Sequence, residues 1–333
     1  MEETVLGKCV VTPDGGGEKL KMKILYFNNC WFTNVGEAFI DIGGMELSRQ
    51  IFGKNVQMAC ISAMTDYYIK NAPEKEHRLR WTLHEHRDYD FLPFRISEYL
   101  NADYVIVPGM VGTLEFLNAP SRKMIDKLVN KGCKAIFLGL GCLKYDQNEI
   151  SALREYFQRI KPALITTRDN ETYEAFKDIA PCVKAIDCAF WTIDSFDPRG
   201  FVEKNYEVIT FNNTNEPTEL KKIKCNVVRP FHMQYEYRRE NGHDYMMISD
   251  TPYDYLTLYA NAERVYTDLV HATVVSIMYG TPVKSWKVDK RAQVFNALEG
   301  IECKDSWYSV PELTLQEQKR KIIKEIHSII SVG

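Results

Sequence analysis

Strand-like and helix-like hydrophobic patterns alternate along most of this sequence. Short apolar runs such as ILYF, YVIV and AIFLGLG are each followed by a longer stretch with apolar residues at helical spacing. This alternation predicts parallel strands joined by helices, because a helix is the usual connection between two parallel neighbours. We therefore predict an α/β fold with doubly wound, Rossmann-like sheets. Residues 65–96, rich in charges and aromatic side chains, break the rhythm and indicate a long insertion.

The length of the chain, 333 residues, indicates two domains, because it exceeds what one hydrophobic core usually supports. Residues 191–205 contain Pro, Gly and mixed charges without periodicity, which is typical of a linker. The predicted parts are a flexible leader at 1–21, an N-terminal Rossmann-like domain at 22–192, a C-terminal Rossmann-like domain at 205–312 and a closing amphipathic helix at 313–333. Ligands of such sheets bind beyond the carboxyl ends of the strands, so we expect the site in a cleft between the domains.

Composition and charge narrow the classes of partner. The formal net charge is −3, which gives no reason to expect nucleic acid or an anionic membrane. No apolar run approaches the ~18 residues of a transmembrane segment, and the N-terminus lacks a signal-peptide pattern. The nine cysteines are scattered without a C-x-x-C pair, which is typical of reduced thiols and argues against a metal site. We expect a cytoplasmic protein.

One histidine stands out against the hydrophobic pattern around it. In ERVYTDLVHATVVSIMYGTPVKSW, a short strand pattern stops at Asp268 and an apolar helix pattern then runs to Gly280. His271 falls in the first turn of that helix, where side chains lean back toward the edge of the sheet. An anion bound beside the helix N-terminus would raise its pKa and make it an acid near neutral pH. The residue could equally be a core histidine, because residues 271, 274, 275 and 278 share one helix face.

Other polar residues also follow strand patterns. Arg168, after ALITT, could clamp a carboxylate or phosphate, or could simply be solvated beside a helix cap. Asn34 and Gly36 lie in the turn after the first strand pattern, where the backbone could approach a ligand or form an ordinary tight turn. Lys284 and Lys290 belong to a basic group that could contact an anion, although solvation is the usual state of such lysines. No dinucleotide or P-loop fingerprint occurs, so neither NAD nor ATP is indicated.

Taken together, five short motifs resemble those of the polysaccharide pyruvyl transferase family. In chain order they are NVGE (34–37), LGLGCL, TTRDNETY, DCAF (187–190) and AERVYTDLVHATVVSIMYGTPV, spread over roughly residues 23–295. Each motif is weak alone, whereas the ordered set is fairly specific. One departure concerns Leu269, because members of that family usually have arginine two residues before the histidine.

The resemblance implies a fold, a reaction and roles for particular residues. The fold would be glycosyltransferase-B-like, with two Rossmann-like domains facing a cleft. The reaction would transfer an enolpyruvyl group from phosphoenolpyruvate to a sugar of a polysaccharide or glycolipid precursor, forming a pyruvate ketal without cofactor or metal. Arg168 and Lys290 would hold the donor and His271 would protonate its methylene carbon. Glu37 or Asp268 would accept the sugar hydroxyl proton.

Two other functions remain open from the sequence. A glycosyltransferase that uses a nucleotide sugar could place a diphosphate against the same basic residues. A family member without activity could bind glycans or a partner, and Leu269 in place of arginine keeps that alternative open. The acceptor sugar and the oligomeric state cannot be derived from the sequence.

Overall fold

The structure is a computed structural model, and it describes most of the chain. The described residues are 22–28, 34–53, 56–62, 99–212, 214–232, 246–286 and 290–330. The predicted leader at 1–21 and the predicted insertion at 65–96 lie outside these residues.

The first sheet contains seven strands, and all of its pairs are parallel. Its order is β2-β1-β3-β5-β6-β7, with β4 beside β5. The strands are β1 (Met22–Asn28), β2 (Val56–Ser62), β3 (Tyr104–Pro108), β4 (Val111–Gly112), β5 (Lys134–Cys142), β6 (Leu164–Thr167) and β7 (Cys182–Lys184). The central strand β5 is buried on both faces, as expected when helices cover a parallel sheet on either side.

The second sheet also has seven strands, in the order β10-β9-β8-β11-β12-β14-β13. The strands are β8 (Tyr206–Thr210), β9 (Asn226–Pro230), β10 (Met246–Met247), β11 (Val265–Thr267), β12 (Val283–Ser285), β13 (Glu302–Lys304) and β14 (Trp307–Ser309). The first five are parallel, whereas β13 and β14 form an antiparallel hairpin at the edge. The hydrophobic pattern of the sequence does not predict this hairpin.

Helices connect the strands and complete the two layers. They are α1 (Val35–Phe52), α2 (Leu114–Asn118), α3 (Pro120–Asn130), α4 (Gln147–Ile160), α5 (Asn170–Phe176), α6 (Thr192–Ser195), α7 (Pro252–Asn261), α8 (Val270–Tyr279) and α9 (Glu312–Ile330). Short 3-10 helices span Cys188–Trp191, Thr218–Lys222 and Lys290–Ala297. Within the described residues, no helix has the length and apolar character needed to cross a membrane.

A single hydrophobic cluster joins the two sheets. It includes Ile136 and Leu164 from the first sheet and Val208 and Val283 from the second. The last helix, α9, packs on α1 and on strands β6 and β7 of the first sheet, although it follows the second sheet in the chain. The imidazole of His327 there lies 3.2 and 3.1 Å from the carbonyl oxygens of Gln50 and Ile51, at the end of α1. The end of the chain therefore ties the second half of the molecule to the first.

Helix α1 packs closely against the 3-10 helix Cys188–Trp191. A Cβ atom at Gly43 would lie 2.0 Å from the carbonyl oxygen of Cys188, so only glycine permits this approach. The hydroxyl of Thr192 donates to the carbonyl of Phe39 and fixes the same contact. This packing sets the position of Asp187, which immediately precedes the 3-10 helix.

Candidate active site

A pocket lies between the carboxyl ends of the two sheets. It encloses about 630 Å³, part of which is open to solvent. The part of the chain that forms the first sheet contributes Asn34, Gly36, Arg168 and Asp187. The part that forms the second sheet contributes His232, Leu269, His271 and Arg291. Since parallel strands end at the same edge of a sheet, residues far apart in sequence meet here.

The N-terminus of α1 forms one wall. Asn34 caps this helix, because its Oδ1 accepts a hydrogen bond of 3.1 Å from the Gly36 N–H. The imidazole of His271 lies directly against Gly36, where an added Cβ would be 2.5 Å from His271 Nδ1. The glycine in the NVGE motif is therefore explained by the close approach of the histidine.

Arg168 and Asp187 form a buried ion pair in the same wall. Arg168 Nη1 donates to Asp187 Oδ2 over 3.1 Å, and the two side chains are 11% and 1% exposed. Asp187 Oδ1 accepts a second bond from the Ala189 N–H. The guanidinium lies on the backbone of Gly141, where a Cβ would be 2.6 Å from Arg168 Nε. The second glycine of LGLG thus makes room for the arginine.

His271 faces this ion pair from the second half of the chain. Its Nε2 lies 4.0 Å from Asp187 Oδ2, which is too far for a hydrogen bond, and it bonds to nothing else in the described residues. Burial lowers the pKa of His271 to about 4; Asp187 opposes this shift, whereas Arg168 and Arg291 add to it. The pocket therefore presents a neutral imidazole at neutral pH, whose Nε2 makes no hydrogen bond and lies beside a carboxylate.

A second histidine lines the pocket beside the first. His232 follows β9, and its carbonyl oxygen accepts a hydrogen bond of 3.1 Å from the Val35 N–H at the start of α1. Its Nε2 lies 2.6 Å from the hydroxyl oxygen of Tyr259. Burial, and secondarily the neighbouring His271, lower the pKa of His232 to about 3. His232 is therefore neutral at neutral pH.

Four of the eight predicted site residues line the pocket: His271, Arg168, Asn34 and Gly36. Their meeting follows from the rule that ligands bind beyond strand ends.

The other four predicted residues do not line the pocket. Glu37 directly follows Gly36 of the pocket wall. Its Oε1 accepts a hydrogen bond of 3.4 Å from Asn34 Nδ2. Asp268 is buried, and its carboxylate accepts bonds from the Asn212 N–H, the Thr214 N–H and the Thr214 hydroxyl. That carboxylate fixes the loop after β8.

Neither predicted lysine reaches the pocket. Lys290 Nζ donates to the Lys144 carbonyl over 3.0 Å and lies 5.1 Å from the centre of the Tyr145 ring. Lys284 Nζ lies 4.9 Å from the centre of the Trp286 ring. The cation that lines the pocket from this segment is the next residue along the chain, Arg291.

Sequence reasoning missed three residues of the pocket, namely Asp187, His232 and Arg291. Asp187 begins the DCAF element that was noted only as part of the resemblance, and Arg291 belongs to the basic group that includes Lys290. His232 comes two residues after the end of β9, at the edge of the sheet where ligands bind. This position in the sequence could have identified it as a candidate site residue. No cluster of three or more metal-binding side chains occurs in the described part of the chain.

Comparison with family models identifies the chain. The model described as polysaccharide pyruvyl transferase matches residues 34–283, which is most of the sequence. The chain belongs to the polysaccharide pyruvyl transferase family. The match covers all the pocket residues except Arg291 and Val294. A search of curated proteins finds no match to this pyruvyl transferase family member.

Solved structures show what the fold of this family member is similar to. A candidate UDP-N-acetylglucosamine 2-epimerase from Listeria monocytogenes aligns with a TM-score of 0.56 at 11% identity, over 93% of this chain and 90% of its own. The UDP-GlcNAc 2-epimerase of Neisseria meningitidis, bound to UDP-GlcNAc, aligns with a TM-score of 0.53 at 11% identity, over 93% and 94%. At this identity the likeness shows the fold alone, two Rossmann-like domains facing a cleft. The predicted glycosyltransferase-B-like architecture is confirmed.

Proposed function

We propose that this pyruvyl transferase moves an enolpyruvyl group from phosphoenolpyruvate to a sugar of a polysaccharide or glycolipid precursor, forming a pyruvate ketal. The observation that supports this most strongly is that two arginines lie in the same pocket as the neutral imidazole of His271. A small ligand with two anionic groups and an enol carbon to protonate matches that set of side chains.

The donor would be held by charge and by backbone amides. Phosphoenolpyruvate carries a carboxylate and a phosphate, and Arg168 and Arg291 offer guanidinium groups for them. Leu269 occupies the N-cap of α8 and has no polar side-chain atom with which to cap. The N-cap side chain therefore does not compete for the first-turn amides of α8, which favour an anion.

His271 would act as the general acid. A bound dianion offsets the two arginines and raises the pKa of His271, so the imidazole takes up a proton when the donor binds. Nε2–H then gives that proton to the methylene carbon of the donor, which becomes a methyl group and leaves a cationic centre at the adjacent carbon. A sugar hydroxyl adds to that centre and gives up its proton, and phosphate then departs as its bond to this carbon breaks. A second sugar hydroxyl closes the ketal, and its proton passes to the imidazole of His271, which has become neutral again.

A carboxylate is needed to accept the proton of the attacking hydroxyl. Asp187 lines the pocket and lies beside His271, so we assign this role to Asp187. Glu37, one residue from the pocket wall, is the second choice for this base. Asp268 is not retained, because it does not line the pocket and its carboxylate oxygens bond the loop after β8.

The test is phosphate release from phosphoenolpyruvate across a panel of sugars. Removing His271 (His271→Asn) should lower kcat by about 10²–10⁴-fold, the usual contribution of a general acid. Arg168→Ala and Arg291→Ala should raise KM for phosphoenolpyruvate by about 10–100-fold, the value of a charged hydrogen bond. Lys284→Ala removes a cation outside the pocket and serves as the matched control, with unchanged kinetics.

Two results would overturn the proposal. Thermal stabilisation by a nucleotide sugar or diphosphate, with none from phosphoenolpyruvate, would indicate a glycosyltransferase. Glycan binding that survives His271→Asn, with no phosphate released from any donor, would indicate a protein without this activity.

A further inference from the structure

His232 is a fully buried polar side chain of the pocket, and the proposed reaction gives it no role. The residue is 2% exposed, and three aromatic rings surround its imidazole edge-to-face. The ring centres of Phe39, Tyr255 and Tyr259 lie 6.0, 5.6 and 5.7 Å from it. Such a cage fixes the orientation of the ring.

The backbone of His232 is fixed on both sides as well. Its N–H donates to Asn212 Oδ1 over 3.3 Å, within the second half of the chain. Its carbonyl accepts from the Val35 N–H, at the N-terminus of α1 in the first half. The ring is therefore held relative to both walls of the pocket, which a group that binds a small ligand requires.

Within the described residues, Nδ1 is the ring nitrogen of His232 that makes no hydrogen bond. Nε2 is engaged by the Tyr259 hydroxyl at 2.6 Å, a short distance for such a pair. Burial raises the pKa of Tyr259 well above its usual value of 10.0, so the phenol keeps its proton. A phenol is a stronger donor than a neutral imidazole, and an imidazole nitrogen accepts better than a phenol oxygen. Tyr259 should therefore donate, which leaves the proton of His232 on Nδ1.

We propose that His232 is a substrate-positioning residue that donates an Nδ1–H hydrogen bond to the anionic substrate phosphoenolpyruvate. Tyr259 fixes the tautomer of His232 that makes this bond possible. This inference rests on the proposed function. It adds a neutral hydrogen-bond donor to the charged side chains of Arg168 and Arg291 in the pocket. Because His232 and Tyr259 both stay neutral, the Nδ1–H group of His232 would not change with pH. His271, in contrast, must change its protonation during the reaction. The two histidines thus divide binding and proton transfer between them.

The first test measures the tautomer directly. Nitrogen NMR of the protein labelled at its seven histidines, with the His232 signal assigned by its loss in His232→Asn, should show the Nδ1–H form before any ligand is added. Inorganic phosphate or phosphoenolpyruvate should then shift the Nδ1 signal. An Nε2–H tautomer, or an Nδ1 signal that responds only to sugars, would overturn the inference.

The second test compares two amide substitutions. An asparagine amide can replace the Nδ1 donor, and a glutamine amide can replace Nε2, so His232→Asn should keep KM for phosphoenolpyruvate within about threefold of wild type. His232→Gln should raise it about tenfold or more, the value of a hydrogen bond to a charged group. The pH profile of kcat should keep its shape in both variants. Equal KM values in the two variants would show a purely structural residue.

The two tests separate this inference from the proposed function. If no sugar supports phosphate release but phosphate still shifts the Nδ1 signal, the reaction is wrong and the role of His232 in binding an anion stands. If phosphoenolpyruvate is turned over but the Nδ1 signal does not respond to it, the reaction stands and the inference fails.

Discussion

Two histidines in one pocket differ because their immediate neighbours differ. His271 has Gly36 on one side and an ion pair 4.0 Å from Nε2, so its ring has an uncommitted nitrogen and a charge nearby. His232 has a phenol on Nε2 and aromatic rings around it. Residue type alone therefore does not define a role in this site.

Both histidines should make the stability of the protein depend on pH. Their pKa values in the folded protein, about 4 and about 3, lie below the ordinary 6.5, so the unfolded chain binds more protons between these limits. The free energy of unfolding should therefore be highest above pH 6.5. It should fall with decreasing pH, by up to ~1.4 kcal/mol per pH unit for each histidine.

Urea unfolding at pH 7, 6 and 5 measures this dependence. His232→Asn or His271→Asn should each reduce the slope between pH 6 and 5 by one histidine's share. A slope that neither substitution changes would show that other groups control acid sensitivity.

At the residue scale, the strand pattern predicted which segments end at the edge of the sheet. Arg168, Asn34 and His271 line the pocket because they lie in segments that leave a strand at that edge. Lys290 and Asp268 do not line it, because the direction of a side chain depends on partners far away in sequence. The Lys144 carbonyl holds one and the Asn212–Thr214 loop holds the other.

At the element scale, α1 is the helix that both builds the pocket and supports it. Its first turn contacts His271 through Gly36, and its middle contacts the 3-10 helix Cys188–Trp191 through Gly43. The two glycines perform separable tasks on one helix.

Alanine at each of these glycines should separate activity from stability. Gly36→Ala should displace the His271 ring and lower kcat by about tenfold or more, since small misplacements of catalytic groups are costly. Its stability should change by less than ~1 kcal/mol, because alanine favours the helix. Gly43→Ala meets a backbone carbonyl that cannot rotate away, so it should destabilise the fold by about 1–3 kcal/mol.

Phosphate release and urea unfolding, measured on both variants, check this contrast. Full activity in Gly36→Ala would contradict the contact between that turn and the histidine. Unchanged stability in Gly43→Ala would contradict the close packing of α1.

The hydrophobic pattern did not predict the structure of two elements. The β13–β14 hairpin turns through Asp305 and Ser306, both with positive φ (51° and 66°), and Asp-Ser is not among the strongest hairpin signals. The apolar pattern of CVKAIDCAF predicts one strand, whereas in the structure the strand ends at Lys184 and a 3-10 helix begins at Cys188. Short apolar runs do not distinguish a strand from a buried helical turn.

At the scale of the whole molecule, one hydrophobic cluster unites both sheets. The cluster also includes Leu315, Ile322 and Ile326 of α9, the stripe that packs the last helix against the first half of the chain. The sequence predicted two domains from length, but it gave no sign that they share a core, because contacts between distant elements leave no periodic trace.

A shared core predicts that the two halves unfold together. One variant would keep only Trp191, just after the first sheet, and another only Trp307, in the second sheet. Tryptophan fluorescence of the two variants should report the same urea midpoint. Ile326→Ala should lower both midpoints equally, through a loss of about 2–5 kcal/mol. Two separated midpoints would show that the domains are independently stable.

The pocket takes residues from nearly the full length of the chain, and this has a consequence for synthesis. A ribosome that has released the chain as far as Asp187 has made the arginine and carboxylate wall without either histidine. Domains tend to fold as they emerge, N-terminal first. Part of the α1 surface therefore stays uncovered until α9, the last helix of the described residues, leaves the exit tunnel. A chaperone that shields nascent apolar surface should bind during that interval.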